Sequence, residues 1–245
     1  GRLMIKSNIK QLVLSFLLLI SLKPLQSAEM VDPIKVDWIF KGLTGTFDRA
    51  SLQRGFQVYK EVCASCHSMQ YLSYRNLGEP GGPEFSEIEV KAIAASFEIE
   101  DGPDDQGEMF TRPGKPSDKF KNPYPNVKAA IAANGGAYPP DMSVLVKARK
   151  GGANYIYSVL VGYEDPPPGV TLDDGVYYNK YMIGNKIKMP NNLSDGLVEY
   201  SDGTESTVDQ MAKDVTTFLA WAAEPELEER HRTGVKVIIY LILLT

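Results

Sequence analysis

Cysteine and histidine are scarce in this chain, with two of each in 245 residues. Two cysteines three positions apart cannot make a disulfide framework, so the fold must rest on core burial or on a bound group. Positive charge is also short. The segment 1–28 holds four basic residues (Arg2, Lys6, Lys10, Lys23) and no acidic ones, so the rest carries 22 basic against 31 acidic groups, a net of −9. An acidic surface repels nucleic acid and attracts basic partners, so nucleic-acid binding is excluded. Long hydrophobic runs are missing as well, and there are no internal repeats. What the chain does have is 16 prolines and 21 glycines, which predict much loop between modest helices.

The two apolar runs lie at the ends. Leu12–Leu22 follows Lys6 and Lys10 and is too short to cross a bilayer; it has the form of a secretory signal, with cleavage expected after Ala28. At the other end VKVIIYLILLT begins at Val235. Eleven helical residues rise only about 16 Å, roughly half of a hydrocarbon core, so this run reads as a membrane span that the sequence cuts short. The preceding ELEERHRTG reads as too charged to pack. Three parts are therefore expected: a signal over 1–28, an exported domain over 29–230, and the start of a C-terminal anchor over 233–245.

Within the exported part, Asp48 is a good N-cap for a helix from about Arg49 to His67, with Leu52, Phe56, Tyr59 and Cys63 on one face. A short helical pattern covers Ser86–Phe97 inside the Pro-, Gly- and acid-rich stretch 78–126. Further helices are expected over Asp141–Lys150, stopped by Gly151-Gly152, and over Ala153–Val161. Residues 164–192 form a long irregular stretch of the kind that carries function. Thr207 and Gln210 predict a capping box for a last amphipathic helix, ended by Pro225.

The scarce residues are gathered in 59-YKEVCASCHSMQYLSYRN-76, where Cys63, Cys66 and His67 form C-x-x-C-H. This motif reads as covalent haem attachment. Each thiol adds across a haem vinyl group, one helical turn matches the vinyl spacing, and the adjoining histidine ligates the iron. A redox dithiol would need a βαβ context, which is absent. A zinc site would need a further ligand, and only the distant His231 is available. Elimination among the eight methionines leaves Met142, Met182 and Met189 for the opposite face of the ring. Met189, in the loop KIKMPNN and followed by Pro190, is the first choice and Met182 the second. A His/Met iron has no open position, which points to electron transfer and away from oxygen chemistry.

Beyond that motif, RGFQVYKEVCASCHSM, NPYPN, AANGGAYPPDMS, ARKGGANYIYSVLVGY, EY-x-DGT at 199–204 and AKDVTTFLAWAAEPE occur in order. Together they resemble the cytochrome c1 family, the haem subunits of the ubiquinol–cytochrome c oxidoreductase (cytochrome bc1) complex, in its bacterial form. The resemblance covers nearly all of 34–245. It implies a mostly α fold, an enlarged class-I-like cytochrome c domain with long loops, plus one C-terminal transmembrane helix. It implies one haem c held by Cys63 and Cys66, with His67 and Met189 as metal ligands. The implied pocket adds Asn134, Ala137, Pro139 and Pro140, then Arg149, Tyr155 and Ile187, with Arg149 suited to a haem propionate. The implied partners are cytochrome b, a Rieske iron–sulfur subunit and a basic cytochrome c acceptor, within a dimeric complex of the bacterial inner membrane, with the haem domain on the periplasmic side. Lys186 and Lys188 depart from the family pattern, which is small or apolar before the distal methionine. Asn191-Asn192 stand where prolines are common.

The acidic run 98-EIEDGPDDQGE-108 reads either as a steering surface for a positive partner or as a solvated loop. Two rival functions are another membrane-anchored c-type carrier, such as an oxidase subunit, and a haem peroxidase or ligand sensor with a labile sixth site.

Overall fold

A computed structural model describes residues 31–244 of the chain. The expected signal over 1–28 lies outside the described residues.

The described part is mostly helical. Helix α1 (Arg49–Val58) starts where Asp48 accepts a hydrogen bond from the Ala50 N–H, as its capping position predicts. It does not continue as a regular helix to His67. Residues Tyr59–Cys63 form a π turn in which the Ala64 N–H reaches the Tyr59 carbonyl at 2.8 Å. The chain then turns, so Cys66 and His67 hang off the end of the helix, their N–H groups bonded to the Cys63 carbonyl at 3.1 and 2.9 Å.

Helix α2 (Glu87–Ala95) carries the reciprocal Ser86–Glu89 capping box. Strands β1 (Glu98–Asp101) and β2 (Phe110–Pro113) pair antiparallel, with Glu98 opposite Pro113 and Asp101 opposite Phe110. The acidic run is therefore a hairpin and not a structureless loop. Arg112 holds it down, bonding Asp118 at 2.7 and 3.0 Å and also Asp101. The guanidinium beside Asp118 lowers that carboxyl to about 2. Helix α3 (Val127–Ala133) is capped by Asn126, and α4 (Ala153–Val161) falls at its predicted limits.

No helix forms over 141–150, against expectation. The Met142 N–H is taken by the Ser68 carbonyl and the Ser143 N–H by Asp141, which leaves a run of turns with isolated bonds such as Ala148 N–H to Val144 O. A helical pattern is thus overridden by long-range bonds to the segment after His67.

The stretch 164–192 is anchored at its far end by two short strands, β3 (Tyr177–Tyr178) and β4 (Lys186–Ile187). Buried Asn179 ties them to α4 by donating to the Val159 carbonyl at 2.7 Å. Helix α5 (Val208–Ala223) begins at Thr207, whose hydroxyl accepts the Gln210 N–H. The reciprocal half of the capping box is missing, because the Gln210 side chain donates instead to Asp214 at 3.0 Å.

Helices α1 and α5 cross at the centre of the core. Leu52 and Phe56 from the first, with Tyr59 just beyond its end, meet Val215, Phe218 and Trp221 from the second, with Tyr74 and Phe120 stacked beside them at 4.8 Å. Asp214 is fully buried in this crossing, but it is paired. Arg54 grips both its oxygens (2.8 and 3.1 Å), and the Ser51 hydroxyl donates at 2.6 Å.

Helix α6 runs from Leu227 to Leu244. Its charged first half packs, contrary to the sequence reading. Leu227 is buried, Glu228 accepts two bonds from Arg49 and one from the Phe47 N–H, and the His231 ring bonds the Gly45 carbonyl at 2.9 Å. The charges that disfavoured packing are the groups that make the contact. From Val235 onward the large apolar side chains are exposed. Among the described residues, no helix is long and apolar enough to cross a membrane.

Candidate functional site

Cys63 and Cys66 are free thiols, both partly buried. Burial pushes the Cys63 thiol up to about 12, with the neighbouring Cys66 adding to the effect, so it stays protonated at neutral pH. His67, next in line, is buried. Its Nδ1 lies 2.8 Å from the Pro140 carbonyl, an oxygen that only accepts, so Nδ1 carries the proton and donates. Burial lowers the pKa of this imidazole, outweighing the Pro140 bond and the Asp141 charge that would raise it. The ring is therefore neutral, with Nε2 unprotonated and without a hydrogen-bond partner among the described residues. That is the form a metal needs from imidazole.

Pro140 was expected in the pocket, and the structure gives it this specific contact. Asp141, which sequence reading did not single out, holds it there. One Asp141 oxygen accepts from the Ser68 hydroxyl (2.7 Å) and the Gln70 N–H (2.9 Å), and the other from the Ser143 N–H (2.9 Å). Burial would raise the Asp141 carboxyl, but the bonds from Ser143, Gln70 and Ser68 prevail and hold it low. The Met142 N–H to Ser68 O and Tyr71 N–H to Ser143 Oγ bonds complete a lattice that locks the two segments together. Replacing Asp141 by alanine leaves these donors unmet and is expected to cost about 2–3 kcal/mol, with Asp141→Asn losing less. Urea unfolding of the three forms measures this.

The other predicted site residues fall into two groups. Asn134 caps α3, donating to the Tyr124 hydroxyl at 3.1 Å and the Ala130 carbonyl at 2.7 Å. The Ala137 N–H returns to the Asn134 carbonyl. Pro139 lines a cavity of about 230 Å³ that also touches Cys66, Tyr124 and Tyr138. In the second group, β4 leads to Met189, which packs against the core with Ile187. The Tyr163 hydroxyl donates to the Met189 carbonyl at 2.9 Å and fixes its backbone, while the Met189 sulfur makes no hydrogen bond among the described residues.

Met182 differs, because its sulfur accepts from the Tyr155 hydroxyl at 3.5 Å. Lys188, a departure in sequence, joins the two groups by donating to the Gly135 carbonyl at 2.5 Å. Lys186 turns away to the Thr171 carbonyl. Arg149 is exposed. It donates to the Ala148 carbonyl, pairs with no carboxylate among the described residues, and lies close enough to Tyr155 to work against the burial that raises that phenol. His231 is on α6 against Gly45, away from the cysteines' own contacts.

The donor set fits a covalently held haem. Two thiols follow a helix end, a neutral oriented imidazole adjoins them, and a thioether with an unclaimed sulfur stands on a loop tied to the same pocket. Asp141 and Tyr163 were not readable as site residues, since each acts through a hydrogen bond to a distant backbone; Lys188 was noticed in sequence, but not its bond to Gly135.

The cytochrome c1 family matches over residues 38–245. A mitochondrial cytochrome c1 heme protein of Solanum tuberosum is 56% identical over 206 residues, covering 84% of this chain and 78% of that protein. The cytochrome c1 of Rhodospirillum rubrum is 50% identical over 227 residues, covering 86% and 82%. A protein of Bradyrhizobium diazoefficiens named cytochrome b/c1 is 51% identical over 225 residues, which is 84% of this chain and 33% of that longer protein.

Proposed function

Because the chain belongs to the cytochrome c1 family, we propose that it is the haem-carrying electron relay of a cytochrome bc1 complex. It accepts one electron from a Rieske iron–sulfur subunit and gives it to a basic cytochrome c. Haem c, when bound, supplies a one-electron couple. The protein does the rest. Cys63 and Cys66 would hold the group through two thioethers, and His67, with its Nδ1–H donating to the Pro140 carbonyl, and Met189 would be its metal ligands. Asn134, Ala137, Pro139, Pro140, Tyr155 and Ile187 would wall the pocket, and Arg149 would pair with a propionate. His67 and Met189 as the two metal ligands would leave no open position for a substrate, so the chain would relay electrons and catalyse nothing alone.

The observation that carries this reading is the buried neutral His67 with a free Nε2 directly after two free thiols. Cytochrome b is the expected membrane partner, consistent with a relative named cytochrome b/c1. We place the complex, as a dimer, in the bacterial inner membrane, with the haem domain periplasmic and the apolar half of α6 entering the bilayer.

A pyridine haemochrome spectrum tests the attachment. The wild-type chain should give the spectrum of haem joined by two thioethers, and acid–acetone should fail to extract the haem. Cys63→Ser or Cys66→Ser should shift that spectrum towards a single attachment. A colourless wild-type protein would remove the proposal.

The acidic hairpin suits a basic acceptor, since Glu98, Glu100 and Asp105 are exposed and unpaired among the described residues, whereas Asp101 is engaged with Arg112. Neutralising Glu98, Glu100 and Asp105 together is expected to slow reduction of a basic cytochrome c roughly tenfold at low salt and to flatten its salt dependence. Stopped-flow rates across ionic strength measure this, and an unchanged slope would take the hairpin out of the docking surface.

A further inference from the structure

A second cavity, of about 300 Å³, lies where α6 leaves the domain, away from the cysteines. That volume is at the small end of ligand-sized cavities. Its wall carries Lys41, Lys147, Arg230 and His231 against a single carboxylate, Glu224. One Glu224 oxygen serves two cations at once, Lys147 Nζ at 2.6 Å and Arg230 Nη2 at 3.1 Å. Lys41 has no carboxylate partner among the described residues. Three full cations facing one carboxylate leave an excess of two positive charges in a chain whose overall balance is acidic. The anchor of the cavity to α6 is fixed, because Leu227 is buried and His231 is bonded to Gly45.

The same helix then changes character. Val235 and Ile238 follow His231 at spacings of four and seven, so they continue the face that lines the cavity, and both are exposed. A cationic cavity that opens onto an exposed apolar helix face has the two-part chemistry of a glycerophospholipid.

We infer that this cavity binds the anionic headgroup of a phospholipid whose acyl chains lie along α6. The inference rests on the proposal that α6 enters a bilayer, and it goes beyond electron relay by assigning a lipid site to the base of the domain. Lys41, Lys147 and Arg230 receive the phosphodiester, which competes with Glu224 for Lys147 and Arg230.

The test uses the full haem-loaded chain with its membrane subunits, reconstituted into nanodiscs of phosphatidylcholine with or without phosphatidylglycerol. Native mass spectrometry then counts the lipids retained. Wild type should retain phosphatidylglycerol in preference to phosphatidylcholine. Lys41→Gln, Lys147→Gln and Arg230→Gln should each weaken retention roughly fivefold, on the order of a hundredfold together. Glu224→Gln, which removes the competing carboxylate, should strengthen it several-fold. Equal retention by wild type and the triple variant, or weaker retention in Glu224→Gln, would overturn the site.

Inorganic phosphate or glycerol phosphate that displaces phosphatidylglycerol at matching concentration would also overturn it, by showing a free-phosphate site. Carbonate extraction separates this from the wider reading. A chain washed off membranes refutes membrane entry by α6, whereas a chain that stays but shows no headgroup preference refutes only the lipid site.

Discussion

Met189→Ala is expected to yield a protein whose reduced form binds carbon monoxide readily and whose midpoint potential falls by on the order of 100 mV or more, within the roughly 0.8 V that axial ligation spans. Thioether ligation favours the reduced iron, so its loss lowers the potential, and the vacated position becomes open to small ligands. The structure makes the substitution clean. The Met189 carbonyl is held by Tyr163, so truncating the side chain leaves the loop where it is. Met182→Ala is the matching control. Its sulfur is already claimed by the Tyr155 hydroxyl, so the spectrum should stay as in wild type. An unchanged Met189→Ala spectrum together with an altered Met182→Ala spectrum would transfer the ligand to Met182 and leave the cysteine and histidine assignments standing.

Gly55→Ala is expected to cost at least about 3 kcal/mol, although the same change inside an ordinary exposed helix stabilises by roughly 0.5–1 kcal/mol. The sign reverses because α1 and α5 touch backbone to backbone at this glycine. A Cβ on Gly55 would lie 2.1 Å from the Asp214 carbonyl oxygen and 2.8 Å from Phe218 Cβ. A backbone oxygen in the middle of a 16-residue helix has nowhere to go, so the two helices must separate. Separation also pulls Arg54 from Asp214 and leaves a buried carboxylate without its main partner, an expensive arrangement. Gly234→Ala in α6 is the counterpart. A Cβ there meets nothing within 4 Å, so helix propensity alone acts and the variant should be slightly more stable. Urea midpoints of both variants measure the contrast, and a Gly55→Ala variant as stable as wild type would show that the helices do not cross this closely.

How much was legible depended on the range of the interaction that decides each feature. The C-x-x-C-H motif, the Asp48 cap, and α4 from Ala153 to Val161 were all readable, because each is set by residues within one or two turns of one another. The amphipathic stripe of α5 was readable for the same reason. The expected helix over 141–150 had the right composition, yet it yields to bonds from Ser68 and Asp141 that connect segments more than 70 positions apart. The charged start of α6 looked unsuited to packing because Arg49, Phe47 and Gly45, which receive it, lie about 180 residues earlier.

By itself, the order of residues determined the chemistry available to this protein: two thiols and an imidazole at haem-binding spacing, a short roster of thioethers, an acidic surface and a set of locally capped helices. Tertiary structure alone decided which tautomer His67 adopts, which of two loop methionines keeps an unclaimed sulfur, and where three cations gather beneath α6. Local spacing fixes what a turn of chain can do. A carbonyl such as that of Pro140 acquires its role only when folding carries it 2.8 Å from a ring 73 positions away.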